Sequence, residues 1–485
     1  MNSELEQVLR AIELDMTPGV AGRFLQVAEN YFSRSANTDR PVSGRTPPDQ
    51  LLARLPAIQA EPRTVDDVLA VIEKIVVEES NWLYHPRYMG HQVTAPLPVA
   101  VWAEPIIGAL NQSVAVQEMS PAITVLEKQI VSWMIGLAGL GTSAGGTLTS
   151  GGTEANFTAL LAARARALPD SWENGVTGWL PVVLCGEHAH YAITRATAQL
   201  GLGLKRAVLV KSDGYRMDAA DLSAKLAALA QRGTPVMAVV ATAGSTATGS
   251  FDDLNAIADS CDRHGVWLHV DGAHGASALL SARRRGLLNG VERARSIAWD
   301  PHKMMLMPLS VGVVLVKDAS DLDAAFRQQA PYLFQDKSLE QSWDQGGRSF
   351  QCSRRGDALK LWVALQRYGT TAFGLLYDRF CDLAMELHAL LEANGSFELL
   401  HEPDCNILCF RFIGDASATD EQLDALNLAL RRAYNTTGTG WITSTVLNGR
   451  RVLRTTLMNP RIRTDHLQQL VAELKTTGSR LQKAT

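Results

Sequence analysis

Short runs of aliphatic residues recur through the middle of this chain, and each is separated from the next by a segment with helical periodicity. Continuous valine-rich runs are typical of strands buried on both faces of a parallel sheet, because the intervening helices cover those faces. The pattern therefore predicts an α/β fold around a mostly parallel sheet. The predicted strands are PVVLCG (181–186), AVLV (207–210), VMAVVATAG (236–244), VWLHVDGAH (266–274), SIAWD (296–300) and VGVVLV (311–316).

The 485 residues exceed the length of one ordinary domain, and the pattern changes twice along them. Residues 1–100 are mainly helical around a connector at 34–50 that is rich in Pro, Ser and Arg, and we interpret them as an N-terminal arm. Residues 101–375 hold the predicted strands and form a large domain. Residues 376–485 contain two strand-like runs, a long helix, a strand pair at 441–457 and a final helix, which predicts a small α+β domain.

The composition argues against several classes of partner. Charged residues make up 20% of the chain and the formal net charge is −4, so there is no basic surface of the kind that binds nucleic acid. The chain has no run of eighteen uncharged apolar residues and no secretory signal, so we predict no membrane partner and a cytoplasmic location. The six cysteines lack the spacing of a zinc or redox motif, and no metal site is predicted.

Glycines precede a predicted amphipathic helix in LTSGGTEANFTALLAARARAL (148–168). Gly151, Gly152 and Thr153 stand at the start of that helix, where free backbone N–H groups and the positive end of the helix dipole favour an anion such as phosphate. Glycines at a helix start more often form a plain turn, so both interpretations stay open on this run alone.

Asp271 ends one of the predicted strands, in HVDGAHGA (269–276). The carboxyl ends of parallel strands form the ligand crevice of an α/β sheet, so an acid at that edge is a candidate for contact with a ligand. An aspartate in this position could equally cap the next helix.

Lys303 follows a predicted buried strand and lies between His302 and two methionines in SIAWDPHKMMLMPLSVG (296–312). A lysine in an apolar pocket loses its charge more easily and becomes a nucleophilic amine that can condense with a carbonyl. Pyridoxal 5'-phosphate requires such a lysine for its aldehyde, a carboxylate for its pyridine nitrogen and a helix terminus for its phosphate. The alternative for Lys303 alone is a side chain that extends its amine to solvent.

Six motifs, in this order, resemble the group II pyridoxal-phosphate-dependent amino-acid decarboxylases, which include the glutamate, cysteine sulfinate, diaminobutyrate and aromatic-L-amino-acid decarboxylases. The motifs are SGGTEAN, GEHAHYAITRATAQLG, HVDGAHGA, DPHKMM, YLFQDK and LRTTLMNPR. The resemblance implies PLP fold type I, the aspartate-aminotransferase-like fold, with a mostly parallel seven-stranded sheet in the large domain. It also implies a homodimer with active sites at the interface and an N-terminal arm that crosses to the partner.

The same resemblance implies roles for individual residues. Lys303 corresponds to the lysine that forms the Schiff base, Asp271 to the partner of the pyridine nitrogen, and His190 to the histidine that stacks on the cofactor ring. The other implied cofactor-binding residues are Gly151, Gly152 and Thr153 in the phosphate loop, His302 beside the phosphate, and Thr246 and Ala273 along the cofactor.

Two further positions, Arg454 and His91, are implied to contact the substrate. Arg454 resembles an arginine that holds a substrate carboxylate in glutamate-type members, although pairing with an acid would also explain an arginine in an apolar strand. Gly90 and His91 stand where glutamate-type members tend to have Asn and Gln, which favours a basic or apolar amino acid. Asp300 replaces an asparagine found in many members, and we interpret it as a tolerated variation.

The chain departs from the family at the expected proton donor, a loop tyrosine just after the YLFQ.DK motif. Leu339 aligns with that tyrosine, and no tyrosine lies between Tyr332 and Tyr368. Leucine cannot donate a proton, so His190, or a water held by His302 or Ser338, is the candidate replacement.

The predicted function is PLP-dependent decarboxylation of an L-amino acid to its amine and CO2, with Lys303, His190 and Asp271 as the catalytic residues. The first alternative is decarboxylation with oxidative deamination to an aldehyde, since members without the loop tyrosine can follow that course. The second alternative is another fold-type-I PLP enzyme, or a binding protein with a degenerate site.

Overall fold

The computed structural model describes residues 3–178, 180–327, 343–414 and 418–483. Within these residues the chain forms a seven-stranded sheet, a four-stranded sheet and a short two-stranded ribbon. The strands are β1 (Gly145–Thr149), β2 (Val182–Gly186), β3 (Ala207–Val210), β4 (Ser212–Asp213), β5 (Arg216–Met217), β6 (Val236–Thr242), β7 (Trp267–Asp271), β8 (Ser296–Trp299), β9 (Gly312–Val316), β10 (Phe397–Leu399), β11 (Ile407–Phe412), β12 (Thr443–Leu447) and β13 (Arg450–Thr456).

Helices surround both larger sheets. The α-helices are α1 (Ser3–Asp15), α2 (Pro18–Arg34), α3 (Pro48–Arg54), α4 (Val65–Val71), α5 (Pro98–Leu110), α6 (Pro121–Ala138), α7 (Gly152–Ala167), α8 (Ser171–Asn174), α9 (Tyr191–Gln199), α10 (Ala219–Gln231), α11 (Leu254–His264), α12 (Ser320–Ala325), α13 (Ala358–Tyr368), α14 (Thr370–Glu392), α15 (Asp420–Thr437) and α16 (Thr464–Gln482). A π-helix (Ile72–Val77) continues α4, and short 3₁₀ helices occur at Gln117–Met119, Leu204–Arg206, Ala276–Leu280, Arg285–Leu288, Val291–Arg293 and Gly346–Arg348.

The seven-stranded sheet has the strand order β1-β9-β8-β7-β6-β2-β3. All neighbouring strands from β8 to β3 are parallel, whereas β9 runs antiparallel to both β8 and β1. The mostly parallel seven-stranded sheet is thus confirmed, and each of the six aliphatic runs contains one of its strands. β1 (GGTLT) is the strand that the runs did not indicate, because an edge strand of glycines and threonines lacks the aliphatic signal.

The central strands are buried because helices lie on both faces. β2, β7, β8 and β9 are buried along their whole length. Helix α11 shows how the sequence sets the ends of such a helix. Asp253 caps its N-terminus by accepting a hydrogen bond from Ala256 N (3.1 Å), and Gly265 ends the helix in the left-handed conformation before β7.

The C-terminal part contains the antiparallel sheet in the order β10-β11-β13-β12. Helices α15 and α16 pack on it, as the strand and helix pattern of the sequence predicted. The predicted boundary between residues 375 and 376 falls inside α14 (Thr370–Glu392), a single continuous helix. The three-part division of the chain stays a prediction.

The N-terminal helices are only loosely covered by the rest of the chain. Leu9 and Ile12 of α1 are exposed, while Tyr31 of α2 stacks on Trp82 with ring centroids 4.8 Å apart. None of the helices in the described ranges is long and apolar enough to cross a membrane.

The topology brings five strand ends together. Strands β2, β6, β7 and β8 are parallel neighbours, and β1 runs in the same direction because both β1 and β8 are antiparallel to β9. The segments that leave the carboxyl ends of these strands therefore meet at one edge of the sheet.

Candidate active site

The turn between β1 and α7 forms the first part of the site. Gly151 precedes α7 with a φ of 149°, and no side chain caps the helix. A Cβ on Gly152 would lie 2.8 Å from Asp300 Oδ2 and 2.9 Å from the Ala273 Cβ, so the space admits only glycine. The start of α7 lines a cavity, and the free N–H groups of a first helical turn suit a phosphate group.

Asp271 forms the second part, as the buried last residue of β7. Its Oδ1 accepts a hydrogen bond from Ala273 N (3.2 Å), which fixes the carboxylate at the edge of the sheet. The next helix, Ala276–Leu280, has Gly275 at its N-cap and no side-chain cap, so the helix-capping alternative for Asp271 is wrong.

Lys303 forms the third part, in the hydrogen-bonded turn that follows β8. Its amide donates to the Asp300 carbonyl (3.0 Å), and the same turn places Lys303 Nζ 3.1 Å from Asp300 Oδ2. The expectation that this amine lies among apolar residues is therefore wrong, because its nearest charged group is a buried carboxylate three residues earlier. The alternative of an amine extended to solvent is also wrong, since the side chain is only 19% exposed.

Two histidines flank these groups, and hydrogen bonds define which nitrogen of each carries the proton. His190 caps α9, where its Nδ1 accepts from Ala192 N (3.3 Å). His302 Nδ1 accepts from Val311 N (3.1 Å), and its Nε2 lies 3.5 Å from Asp300 Oδ2. In the neutral state each ring therefore carries its proton on Nε2.

Burial favours the neutral form of both histidines. Burial lowers the pKa of His190, with a smaller opposing contribution from Asp271 and a further lowering from Lys303. Burial likewise lowers the pKa of His302, against the opposing charge of Asp300.

A cavity of about 310 Å³ connects these groups. Nine residues predicted to be at the cofactor site line it, namely Gly151, Gly152, Thr153, His190, Thr246, Asp271, Ala273, His302 and Lys303. Sequence reasoning missed the other lining residues, which are Ser150, Glu154, Asn156, Thr242, Gly244, His274, Asp300 as a contact of Lys303, and Leu309. Asn156 could have been found, because it is a buried polar residue in an alanine-rich helix.

A second cavity of about 600 Å³ adjoins the first and shares His190 and Thr246 with it. The two predicted substrate residues, His91 and Arg454, line this second cavity. Arg431 of α15 also lines it and was not anticipated, since a basic residue on an amphipathic helix is typical of a solvated face.

The chemistry of the first cavity fits pyridoxal phosphate. The cavity combines an open helix N-terminus, a buried carboxylate and a primary amine, which are the three groups that this cofactor needs. Four buried polar atoms of its lining residues have no hydrogen-bond partner among the described residues: Glu154 Oε1, Thr242 Oγ1, His274 Nδ1 and Asp300 Oδ1. Such atoms indicate a polar ligand at this place.

Comparisons with known proteins agree with this chemistry. The pyridoxal-dependent decarboxylase conserved domain matches residues 48–413. The chain is 34% identical over 392 residues to the acidic amino acid decarboxylase GADL1 of Mus musculus, covering 80% of this chain and 71% of that protein. It is 35% identical over 420 residues to the L-2,4-diaminobutyrate decarboxylase of Rhizobium meliloti (strain 1021), covering 85% and 82%.

A solved structure shares the whole fold. The crystal structure of mouse CSAD has a TM-score of 0.89 and 29% sequence identity, and the likeness covers 95% of this chain and 99% of that one. The domain match spans most of the chain, and relatives in this identity range are named decarboxylases. The chain therefore belongs to the pyridoxal-dependent decarboxylases, a family of PLP-dependent carboxy-lyases.

Proposed function

We propose that this protein decarboxylates an L-amino acid to the corresponding amine and CO2, with Lys303 as the residue that bonds to the cofactor aldehyde. The observation that carries the proposal is the convergence of Lys303, Asp271 and the N-terminus of α7 on one cavity. Pyridoxal phosphate, when bound, supplies the electron sink that stabilises the carbanion left by departing CO2.

The chain's own residues bind and orient the reacting groups. The amides of Gly152 and Thr153 would hold the phosphate at the positive end of α7. The Asp271 carboxylate, fixed by Ala273 N, would keep a proton on the pyridine nitrogen. Thr246 would line the cofactor, and His302 would bind beside the phosphate through Nε2–H, since its Nδ1 is already an acceptor.

His190 is the described residue best placed to supply the proton that replaces CO2. Its Nδ1 is occupied by Ala192 N, so the Nε2–H is left as the donor, and the side chain lines both cavities. Leu339 and Ser338, which bear on the same question, lie outside the described residues.

The oxidative alternative, which forms an aldehyde, is not favoured, because the relatives reported above are named decarboxylases. The same relatives argue against another fold-type-I reaction and against a binding protein with a degenerate site. The test is to incubate cofactor-loaded protein with L-amino acids in air and to measure CO2, amine, aldehyde and peroxide together. Amine equal to CO2 without peroxide is expected, whereas aldehyde with matching peroxide would overturn the proposal.

Lys303→Ala and Lys303→Arg test the assignment of the amine. Both variants should lose the covalent cofactor linkage, because arginine keeps the charge but cannot condense with the aldehyde. Reduction with borohydride followed by peptide mass spectrometry should place the cofactor on Lys303 in the wild type. A label on another lysine would contradict the assignment.

We also propose a homodimer with the active sites at the interface and the N-terminal arm against the partner. Leu9 and Ile12 on α1, and Leu309 and Tyr191 at the two cavities, are large apolar side chains exposed in one copy of the chain. Sedimentation velocity should give a dimer, and Leu9→Glu with Ile12→Glu should weaken it. The cytoplasmic location stays a prediction.

A further inference from the structure

Arg454 is a buried guanidinium that has no carboxylate partner in the part of the chain that the structure describes. Its Nε donates to the Ala247 carbonyl (3.1 Å) and its Nη1 to Thr443 Oγ1 (3.4 Å), while Nη2 is buried without a hydrogen-bond partner among the described residues. Its side chain is only 7% exposed, and burial lowers its pKa. A buried charge without a counter-ion is costly, so an anion that bonds to Nη2 would stabilise Arg454.

Arg431 brings a second guanidinium to the same cavity. Its Nε donates to the Ile442 carbonyl (3.4 Å), and its Cζ lies 5.5 Å from the centre of the Trp441 ring. Within the described ranges no carboxylate lies within 4.0 Å of it, so Arg431 is held by a carbonyl and a cation–π contact. Its charge is therefore available to a ligand.

His91 lies beside both arginines because the chain at Gly90 packs closely against the residues that lead into β12 of the four-stranded sheet. Met89 N donates to the Trp441 carbonyl (2.9 Å), and a Cβ on Gly90 would meet Trp441 Cδ1 at 2.6 Å, so glycine is needed for this approach. Burial lowers the pKa of His91, and the charges of Arg454 and Arg431 lower it further.

The second cavity is therefore positive. The one carboxylate among its described lining residues is Glu187, which is exposed and accepts a hydrogen bond from Ser212 N (3.2 Å). Neither arginine has a carboxylate among the groups that shift its pKa. Two guanidinium groups in one cavity, neither with a carboxylate partner among the described residues, match a ligand with two anionic groups.

We propose that Arg431 binds an anionic side chain of the substrate while Arg454 holds its α-carboxylate, so that the substrate is an acidic amino acid with a second carboxylate or a sulfinate. This inference rests on the proposed function. It departs from the basic or apolar substrate that Gly90 and His91 favoured at the level of sequence. A basic side chain would place an ammonium group against Arg431, which costs free energy.

Size-matched substrates test the charge that the holoenzyme selects. The kcat/KM for CO2 release should be higher for L-aspartate than for L-asparagine and higher for L-glutamate than for L-glutamine, by about ten- to a hundredfold for the better-fitting length. L-2,4-diaminobutyrate should be a poor substrate. A preference for the amides or for diaminobutyrate would overturn the inference.

Arg431→Gln tests the residue itself. It should lower kcat/KM for the acidic substrate by about ten- to a hundredfold, mainly through KM, and leave kcat/KM for the amide nearly unchanged. Arg431→Lys should recover part of the loss, because it keeps the charge. Arg432→Gln, at the exposed neighbouring position on α15, is the matched control and should behave as the wild type. Equal effects of Arg431→Gln on acid and amide would contradict the assignment.

A binding measurement separates this inference from the proposed reaction. In calorimetry on the holoenzyme, succinate should bind more tightly than butyrate, and Arg431→Gln should abolish the difference. If no amino acid releases CO2 but succinate is still preferred, the proposed function fails and the anion site stands. If CO2 is released without any preference for succinate, the function stands and this inference fails.

Discussion

Lys303 Nζ lies 3.1 Å from Oδ2 of Asp300, a carboxylate whose side chain is 1% exposed. The contact follows from sequence spacing, because residues 300–303 form one hydrogen-bonded turn directly after β8, which brings the two side chains together. Asp300 Oδ1 has no hydrogen-bond partner among the described residues. The amine is therefore held towards the cavity by a buried negative charge before any cofactor bonds to it.

Removing this carboxylate should destabilise the cofactor-free protein. Asp300→Ala should lower the free energy of unfolding by about 1–3 kcal/mol, since Lys303 loses its charged partner. Asp300→Asn keeps an acceptor oxygen of the same size and should cost less than half as much. Denaturant titration of both variants checks the order, and a wild-type midpoint for Asp300→Ala would show that the pair contributes nothing.

Neutralising Asp271 should affect catalysis rather than folding. Asp271→Asn should retain bound cofactor by absorbance but lower kcat/KM by about 10²–10⁴, because an amide cannot keep the pyridine nitrogen protonated. Asp300→Asn serves as the control, since it neutralises a neighbouring carboxylate with another role, and should lose less than tenfold. Equal losses of kcat/KM in the two variants would mean that activity depends on the overall charge of the cavity and not on the Asp271 carboxylate in particular.

The sequence predicted the sheet well because valine-rich strands buried on both faces leave a strong pattern. It also indicated Lys303, Asp271 and the turn at 151–153, because these residues follow strand ends at one edge of the sheet or begin α7. The other four predicted residues of the first cavity rested on the family resemblance, and these are His190, Thr246, Ala273 and His302. β1 was missed because glycine and threonine at a sheet edge carry little hydrophobic signal.

What the sequence could not show depends on distant contacts. Arg431 reaches the second cavity only because α15 packs beside Trp441, and no local pattern reports that packing. The environment of Lys303 was misjudged because the flanking methionines suggested an apolar pocket, whereas the turn directs the amine to Asp300.

Acid should destabilise the fold through buried histidines. Burial lowers the pKa of His269 to about 4 and that of His274 to about 3. The unfolded chain binds protons at a histidine pKa of about 6.5, so stability falls as the pH drops below that value, by about 2 kcal/mol for each histidine at pH 5. Asp252 opposes this fall, because burial raises its pKa to about 6 and the folded state takes up a proton first.

The two histidines outweigh the one aspartate, so the melting temperature should drop between about pH 7.5 and pH 5. His274→Gln keeps a donor for Asn406 Oδ1, which accepts from His274 Nε2 at 2.7 Å, and it removes one titrating group. The variant should therefore show a smaller acid-induced drop than the wild type. An identical drop would show that His274 does not contribute to the pH dependence.

A buried ion pair that is hydrogen-bonded to β1 should help to position the phosphate loop that follows this strand. Arg354 donates two hydrogen bonds to Glu127 (2.7 and 2.8 Å), and Glu127 Oε1 also accepts from Leu148 N (3.2 Å) in the strand that leads to Gly151. The Arg354 and Glu127 side chains are 5% and 1% exposed. Fixing this strand fixes the start of α7, where the phosphate would bind.

Arg354→Met should lower the free energy of unfolding by about 3–5 kcal/mol, because Glu127 is left as an unpaired buried charge. Arg355→Met is the matched control, since Arg355 is 45% exposed and its ion pairs with Glu104 and Asp357 should contribute at most about 1 kcal/mol. The double variant Glu127→Leu with Arg354→Met should recover part of the loss, because no charge is left unpaired. Cofactor affinity should fall in Arg354→Met and stay unchanged in Arg355→Met; equal affinities would show that β1 does not depend on the pair to position the loop.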